Sequence, residues 1–129
     1  MFSLVDAVER YPEFLPWCSG ASVARRDEVS MLATISINYR GIRQSFTTET
    51  HKQPGRSMRI SLVHGPFKTL DGTWEFVPLA QAGCKIDFRL HYEFSGKLLE
   101  QVVGPVFHYI ADSLVDAFVK RARAIYGAR

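Results

Sequence analysis

A hydrophobic pattern of helical period dominates the last stretch of the chain, Leu98 to Tyr126. Its apolar residues recur every three or four positions, which places them on one face of an α-helix. These residues are Leu99, Val103, Val106, Ile110, Leu114, Phe118 and Ile125. Pro105 lies inside the pattern and either opens the main helix or kinks a longer one. An apolar face this wide requires a large partner surface, which the preceding residues must supply.

Between residues 21 and 94 the period changes to two, which is typical of strands that bury one face. The pattern predicts strands over Ala21–Arg26, Val29–Tyr39, Ile42–His51, Met58–Leu62, Phe67–Leu70, Thr73–Val77 and Gly83–Phe94. The pair Asp71-Gly72 is typical of a tight hairpin turn between two of them. The last strand alternates apolar and charged residues throughout. A slip of one residue would invert every side chain, so its register is firmly specified.

At the N-terminus, the spacing of apolar residues has the helical period again. Phe2 to Arg10 predicts a short helix, and the segment Tyr11 to Trp17, which we call the plug, follows it. Two prolines in the plug limit any helix there to about one turn. Its apolar residues Phe14, Leu15 and Trp17 are unsuited to a free loop. We therefore expect the plug to pack down, either as a lid or as a second core helix.

The order of elements is a short helix, a helical turn, about six antiparallel strands and one long helix. Strands followed by a terminal helix predict an α+β fold in which the apolar face of the sheet wraps against the helix. At 129 residues the chain fits one domain, residues 1–129. A domain of this size buries roughly two-thirds of its unfolded surface, which is enough for a core.

Composition narrows the class of protein. A hydrophobic fraction of 47% and a charged fraction of 22% are ordinary for a soluble globular protein. No uninterrupted apolar run approaches the ~18 residues of a membrane span. The first residues lack the basic region of a secretory signal. We therefore expect a cytoplasmic protein in which Cys18 and Cys84 are reduced thiols.

The charge of the chain is mildly basic, with a formal net charge of +3. Positive residues concentrate near the C-terminal end, at Lys120, Arg121 and Arg123. Such residues complement the dipole of their own helix. Alternatively, they contact RNA or acidic lipid headgroups at a membrane surface.

Motifs for catalysis or metal binding are lacking in the sequence. The four histidines have no metal-ligand spacing, and no phosphate loop or nucleophile elbow follows a strand. The inward strand positions are overwhelmingly apolar, whereas acid–base catalysis needs titratable groups in a cavity. The pattern predicts a protein that is not an enzyme and requires no cofactor. It leaves open whether the interior holds a hydrophobic ligand or is completely filled.

Several segments carry a family resemblance. They are Tyr11-Pro-Glu-Phe-Leu-Pro-Trp-Cys18, Gly41 with Ser45-Phe-Thr-Thr48, Gly65-Pro-Phe67, Leu70-Asp-Gly-Thr-Trp-Glu-Phe76 and Phe107 to Tyr126. The chain resembles the coenzyme Q-binding and RatA-type branch of the START-like superfamily, also called the polyketide cyclase/dehydrase superfamily. This resemblance implies a helix-grip fold, in which an antiparallel sheet curls around the C-terminal helix and encloses a hydrophobic cavity.

The resemblance also implies different functions. The first expectation is non-enzymatic binding of ubiquinone or another polyprenyl lipid in support of respiration. The alternative is a RatA-type toxin of a toxin–antitoxin pair that binds the large ribosomal subunit and blocks subunit association. A cyclase-like enzyme is a third possibility. The partners implied are a hydrophobic small molecule, the large ribosomal subunit or a transient membrane surface at the inner membrane.

The predicted ligand contacts are apolar residues on the sheet, the long helix and the plug. They are Phe14, Trp17, Phe46, Met58, Ile60, Trp74, Phe76, Phe88, Leu90, Tyr92, Phe107, Ile110, Leu114 and Phe118. Hydrogen-bond donors to a quinone head would come from Tyr39, Tyr92 or Trp74. Contact with RNA or a membrane would fall to Lys120, Arg121 and Arg123.

One departure from the family pattern affects the predicted sheet. Family members usually have a first strand before the segment that begins here at Phe2, and that strand pairs with the last one. The last strand, residues 83–94, would then have a bare edge, and bare edges pair with other chains. We therefore expect self-association through this edge, or reduced stability.

Overall fold

The computed structural model describes residues 2–78 and 84–126. It begins with helix α1, Phe2–Asp6, and a 3₁₀ helix over Val8–Glu13. Six strands follow and then the long helix α2, Lys97–Tyr126. The strands are β1 Cys18–Arg26, β2 Ser30–Tyr39, β3 Ile42–Gln53, β4 Ser57–His64, β5 Phe67–Pro78 and β6 Cys84–Phe94. The predicted α+β class, with one sheet against a C-terminal helix, is confirmed.

Within the described residues, the six strands form one antiparallel sheet in the order β1-β2-β3-β4-β5-β6. Each strand therefore pairs with its neighbour in the sequence. The pairing sets one face toward α2: Ile35 lies opposite Phe46, and Met58 lies opposite Trp74. Two register shifts interrupt the β1–β2 pairing, and such bulges bend a strand and increase its twist.

The predicted hairpin at Asp71-Gly72 is wrong, because β5 runs through these residues without a turn. Gly72 pairs with Ile60 on one side and Leu90 on the other, facing the interior. A Cβ atom at this position would lie 3.3 Å from Leu90 Cδ1. The glycine therefore makes room for large neighbours in the middle of the sheet, and pairing on both sides overrides the local turn preference.

The N-terminal segment differs in its boundaries from the prediction. The helix expected over Phe2–Arg10 ends at Asp6, and a 3₁₀ helix continues to Glu13, into the plug. Tyr11 stabilises this arrangement by donating its hydroxyl hydrogen to the carbonyl of Val5. The plug packs on the core as expected, and Leu15 and Trp17 are buried.

Pro105 neither opens nor ends α2, which is continuous from Lys97 to Tyr126. Proline removes the hydrogen bond to the carbonyl four residues earlier, at Gln101. Both residues are exposed, so water can satisfy that carbonyl. By length and composition α2 is apolar enough to cross a membrane. In this fold, its residues Val103 and Ile110 are instead buried against the sheet.

Phe118 of α2 lies where helix, plug and sheet meet. Its side chain is 1% exposed. Its ring centroid lies 5.2 Å from those of Tyr11 and Phe14 and 5.3 Å from that of Trp74, each in edge-to-face geometry. Aromatic pairs in this geometry add to the stabilisation that comes from burial alone. Phe118 thus joins three parts of the structure that are distant in sequence.

We expect Phe118→Ala to lower the free energy of unfolding by about 3–5 kcal/mol, because it removes a buried ring and leaves a cavity. The matched control is Ile125→Ala on the same helix, where the side chain is 48% exposed. That change should cost less than about 1 kcal/mol. Urea unfolding of both variants measures the difference, and equal losses would contradict the central position of Phe118.

Candidate functional site

A cavity of about 90 Å³ lies between the concave face of the sheet, α2 and the N-terminal segment. Its walls are almost entirely apolar. The lining residues are Val5, Val8, Tyr11, Trp17, Met31, Ala33, Ile35, Phe46, Thr48, Thr50, Met58, Ile60, Leu70, Trp74, Phe88, Leu90, Phe107, Ile110, Ala111, Leu114 and Phe118. The sheet contributes through alternate residues, because successive side chains of a strand point to opposite faces.

Most of the predicted ligand contacts meet at this cavity. These are Trp17, Phe46, Met58, Ile60, Trp74, Phe88, Leu90, Phe107, Ile110, Leu114 and Phe118. Three predicted residues lie outside its lining. Phe14 packs on Phe118 from the outer side, Phe76 lies against Phe2, and Tyr92 contacts His108. Their role in ligand contact remains a prediction.

Several lining residues were not among those predicted from the sequence. Val5, Val8 and Tyr11 come from the N-terminal helices, and the others are Met31, Ala33, Ile35, Thr48, Thr50, Leu70 and Ala111. For Met31, Ala33 and Ile35, the alternation of apolar and polar residues along β2 already indicated that they face inward. Thr48 and Thr50 face inward because the register places them opposite Ala33 and Met31. Nothing in their residue type distinguishes them from surface threonines.

The size of the cavity limits its occupant. Pockets for drug-sized ligands measure about 300–1,000 Å³. An engineered apolar cavity of about 150 Å³ holds a single benzene molecule. With a volume of about 90 Å³, the interior is mostly filled by its own side chains. A quinone head with an isoprenoid tail would fit only if α2 or the plug moved outward.

The electrostatics of the cavity are close to neutral. Among the described residues that line it, Tyr11 alone has a titratable side chain. Burial raises the pKa of the Tyr11 hydroxyl, which remains protonated and bonded to Val5. The other polar side-chain groups of these residues are the hydroxyls of Thr48 and Thr50 and the indole N–H groups of Trp17 and Trp74. Such a lining supplies neither the general acid nor the general base that a cyclisation or hydrolysis would use.

Ion pairs fasten the N-terminal segment over one end of the cavity. Lys52 Nζ donates to Asp6 Oδ1 at 2.9 Å, and the Lys52 side chain is only 4% exposed. Arg26 donates to both carboxylate oxygens of Glu9, at 2.7 and 3.0 Å, and to the carbonyl of Asp6. The hydrogen bonds from Arg26 hold the pKa of Glu9 below its ordinary value. These pairs join α1 and the 3₁₀ helix to β1 and β3.

The three predicted basic contacts differ in their surroundings. Arg121 lies over the ring of Phe14 and donates to Glu13 at 2.7 Å, so it fastens the plug to α2. Lys120 is exposed and pairs with Asp116 at 3.1 Å. Arg123 is exposed in the last turns of the helix. Two of the three cations are therefore open to solvent.

The three predicted hydrogen-bond donors to a quinone head do not lie together. Trp74 is buried in the cavity wall. Tyr39 stacks on Tyr109 of α2, with ring centroids 5.5 Å apart, outside the lining. The Tyr92 hydroxyl contacts Nδ1 of His108. Burial and the charge of Asp112 raise the pKa of Tyr92.

Cys18 is a buried free thiol, and burial raises its pKa. The side chain of Cys84 lies outside the described part of the chain. Among residues 2–78 and 84–126, no group of three or more histidines, cysteines and carboxylates is placed to hold a metal ion.

Fold and cavity together define a helix-grip protein, and comparison with known families agrees. The family model described as polyketide cyclase / dehydrase and lipid transport matches residues 1–119. The chain belongs to this family.

The chain is also similar to individual relatives that are named as toxins and as a coenzyme Q-binding protein. The chain is 47% identical over 127 residues to the ribosome association toxin RatA of Vibrio cholerae, covering 98% of this chain and 88% of the relative. It is 42% identical over 129 residues to the persistence and stress-resistance toxin PasT of Escherichia coli O6:H1, covering 100% and 82%. Identity to coenzyme Q-binding protein COQ10 homolog B of Xenopus laevis is 26% over 131 residues, covering 98% and 54%.

Solved structures share the fold at low identity. The aromatase/cyclase Zhui from Streptomyces sp. R1128 superposes with a TM-score of 0.77 at 12% identity, covering 98% of this chain and 89% of that one. A protein from Thermus thermophilus superposes with a TM-score of 0.75 at 18% identity, covering 92% and 82%. The predicted family and the helix-grip fold are thus confirmed. The neighbours include enzymes, whereas the relatives above are named as toxins and a binding protein.

We expect Glu9→Gln to destabilise the protein fully above the ordinary pKa of Glu9, and progressively less as the pH falls through its lowered folded-state pKa. A depressed folded-state pKa contributes stability that is present above the unfolded pKa and is lost as the pH falls through the folded one. The pair is partly exposed, so the loss at neutral pH should stay below about 1 kcal/mol. Melting temperatures from neutral to acidic pH should converge for wild type and Glu9→Gln. The variant Glu28→Gln, at an exposed residue, controls for the change in net charge. A difference in melting temperature between wild type and Glu9→Gln that stays constant with pH would contradict the stabilising role of the Glu9–Arg26 pair.

Proposed function

We propose that this protein associates with the ribosome and acts as a RatA-type toxin without enzymatic activity. The observation that carries the proposal is its 41–47% identity to relatives named ribosome association toxin RatA, over 82–88% of their length. Identity to the coenzyme Q-binding relative is 26% over 54% of that protein. The resemblance implies a specific form of this function, in which the protein binds the large subunit and blocks subunit association in the cytoplasm.

The properties of the interior favour a function that the protein carries out through its surface. Side chains fill the space between sheet and helix to within about 90 Å³. The described lining residues offer no acid–base pair, because their one titratable side chain, Tyr11, stays protonated. A protein with a filled, unreactive interior acts most directly through what its surface contacts.

The C-terminal half of α2 supplies a candidate contact to RNA. Lys120 and Arg123 are exposed and lie close together on the helix surface, since they are three residues apart. Arg121 is committed to Glu13 and Phe14 instead. Phosphate groups attract such cations, and the resulting affinity falls with salt concentration. We therefore assign the RNA contact to Lys120 and Arg123.

A sucrose-gradient experiment tests the proposal. Purified protein mixed with separated ribosomal subunits should sediment with the large subunit and reduce the formation of complete ribosomes when small subunits are added. Protein that remains at the top of the gradient with intact subunit joining would contradict the proposal.

The double variant Lys120→Glu/Arg123→Glu should weaken co-sedimentation at least tenfold and flatten its salt dependence, because two phosphate contacts are lost. The matched control is Arg56→Glu/Arg59→Glu, which reverses two exposed charges near the β3–β4 turn. The control should bind as wild type does. Equal effects of both double variants would indicate a general charge effect and contradict the assignment to α2.

A second candidate function, supported by the apolar cavity lining, is the binding of ubiquinone or another polyprenyl lipid in support of respiration. Each buried CH₂ group contributes about 0.8 kcal/mol, so a few isoprene units would give useful affinity. Because the cavity measures only about 90 Å³, entry of such a lipid requires outward movement of the plug or α2. The contacts would be the cavity residues together with Phe14, Phe76 and Tyr92.

Leu114→Trp tests this second function, because the larger side chain should occupy the cavity. If the lipid binds there, titration with a short-chain ubiquinone should show at least a tenfold loss of affinity. Ile125→Trp adds the same ring outside the lining and should bind as wild type does. Quinone binding that survives in folded Leu114→Trp would exclude this cavity as its site.

A further inference from the structure

Tyr109 is an exposed aromatic residue on the outer side of α2. It is 47% exposed, and it is the only aromatic residue among the large hydrophobic residues that are exposed within ranges 2–78 and 84–126. A single exposed aliphatic side chain is ordinary for a soluble protein. An aromatic ring that is held in place and open to solvent on one side can also stack on a planar ligand.

A second aromatic ring holds Tyr109 in place. Tyr39, the last residue of β2, stacks on it with ring centroids 5.5 Å apart and ring planes inclined by 7°. Tyr39 is itself partly buried and packs against the core. The rings are offset, because the planes of stacked rings lie only about 3.5–4.0 Å apart. Tyr39 thus supports Tyr109 from one side, while nearly half of Tyr109 stays open to solvent.

The turn after Tyr39 places a cation beside the two rings. Arg40 and Gly41 form a two-residue loop between β2 and β3, and both have positive φ, 51° and 82°. Asn-Gly is the preferred sequence of such a loop, and arginine in the left-handed region is uncommon. Arg40 is the only non-glycine residue with positive φ in the described part of the chain. Residues held in such conformations cluster at binding sites.

The side chain of Arg40 gives a reason for its strained position. Its guanidinium carbon lies 5.3 Å from the centroid of the Tyr39 ring, which is within the range of a cation–π contact. Arg40 is exposed, and no carboxylate of the described residues pairs with it. The loop therefore presents a free cation next to two stacked rings.

Tyr109 also lines a groove of about 410 Å³ between α2 and the plug. Its lining residues are Phe14, Pro16, Trp17, Tyr109, Ser113, Asp116, Ala117, Lys120, Arg121 and Ala124. Asp116, the carboxylate among them, is paired with Lys120 at 3.1 Å. Tyr109 and Lys120 are separated by about 16 Å along the helix and by only about 20° around it. The exposed ring and a cation assigned to RNA under the proposed function therefore share one side of α2.

We propose that Tyr109, backed by Tyr39 and flanked by Arg40, is a stacking platform for an unpaired RNA base. Proteins that bind single-stranded RNA combine aromatic rings for the bases with cations for the phosphates. A lipid headgroup has no planar aromatic ring and would make less use of this arrangement. The inference rests on the proposed function, which supplies ribosomal RNA as the source of the base.

Binding to isolated RNA tests the platform apart from the ribosome. By fluorescence anisotropy, the protein should bind a short labelled RNA of mixed sequence about fivefold or more tighter as a single strand than as a duplex, because only unpaired bases can stack. Tyr109→Leu should abolish this preference, and Tyr109→Trp should retain it. The control is Val102→Ala, at a 50% exposed residue on the same side of α2, which should behave as wild type does. Equal affinity of the wild-type protein for both RNAs, or a preference that survives in Tyr109→Leu, overturns the proposal.

Co-sedimentation with large ribosomal subunits separates the platform from the proposed function. Tyr109→Leu should raise the dissociation constant about fivefold or more, whereas Tyr109→Phe and Tyr109→Trp should bind as wild type does. Wild-type binding by Tyr109→Leu overturns the platform and leaves the proposed function standing. A wild-type protein that prefers single-stranded RNA through Tyr109 but does not co-sediment overturns the proposed function and supports the platform. If Tyr109→Leu weakens binding to phosphatidylglycerol vesicles and leaves RNA binding unchanged, the ring contacts a membrane and the proposal is wrong.

Arg40→Asn distinguishes a binding role of Arg40 from a structural one. Asparagine suits the positive φ of residue 40, so the melting temperature should stay the same or rise. Affinity for the single-stranded RNA should fall about threefold or more and depend less on salt, because a phosphate contact is lost. Arg59→Asn, which removes an exposed cation from β4, is the control and should bind as wild type does. Unchanged affinity of Arg40→Asn would overturn the place of Arg40 in the platform.

Discussion

Burial of the apolar side of α2 against the concave sheet is the interaction on which the rest of the structure depends. Six strands paired only with their sequence neighbours would leave an apolar face exposed. The helix covers that face through Val103, Ile110 and Phe118, and at about 25 cal/mol per Å² such burial is the main source of stability. Phe118 extends it to the plug through Tyr11 and Phe14, so one helix holds sheet and N-terminus together.

This packing also determines where function can reside. A core that closes on about 90 Å³ offers little space for a ligand, and its lining offers no acid–base pair. The charged groups lie at the periphery instead. Some, such as Lys52 with Asp6 and Arg121 with Glu13, fasten the N-terminal segment, whereas Lys120 and Arg123 face solvent. A surface that recognises RNA is consistent with this division, and it agrees with the relatives named for ribosome association.

The sequence predicted those features that a local pattern specifies. The face of α2 and the alternation of β6 followed from periods of about 3.6 and two, which report helix and strand directly. Local chemistry was misleading at Asp71-Gly72, where pairing with β4 and β6 overrides the turn preference. Contacts between distant residues, such as Lys52 with Asp6, left no local signal. The volume of the cavity depends on how all these side chains pack in three dimensions, so residue types alone could not decide between a filled and an open interior.

The most direct test of this account is organic extraction of the purified full chain followed by mass spectrometry, with a protein of similar size as the control. A filled interior predicts that no quinone or polyprenyl lipid is recovered above the level of the control. Recovery of such a lipid at one molecule per chain would contradict the account, because it would show that the sheet and α2 enclose a much larger space.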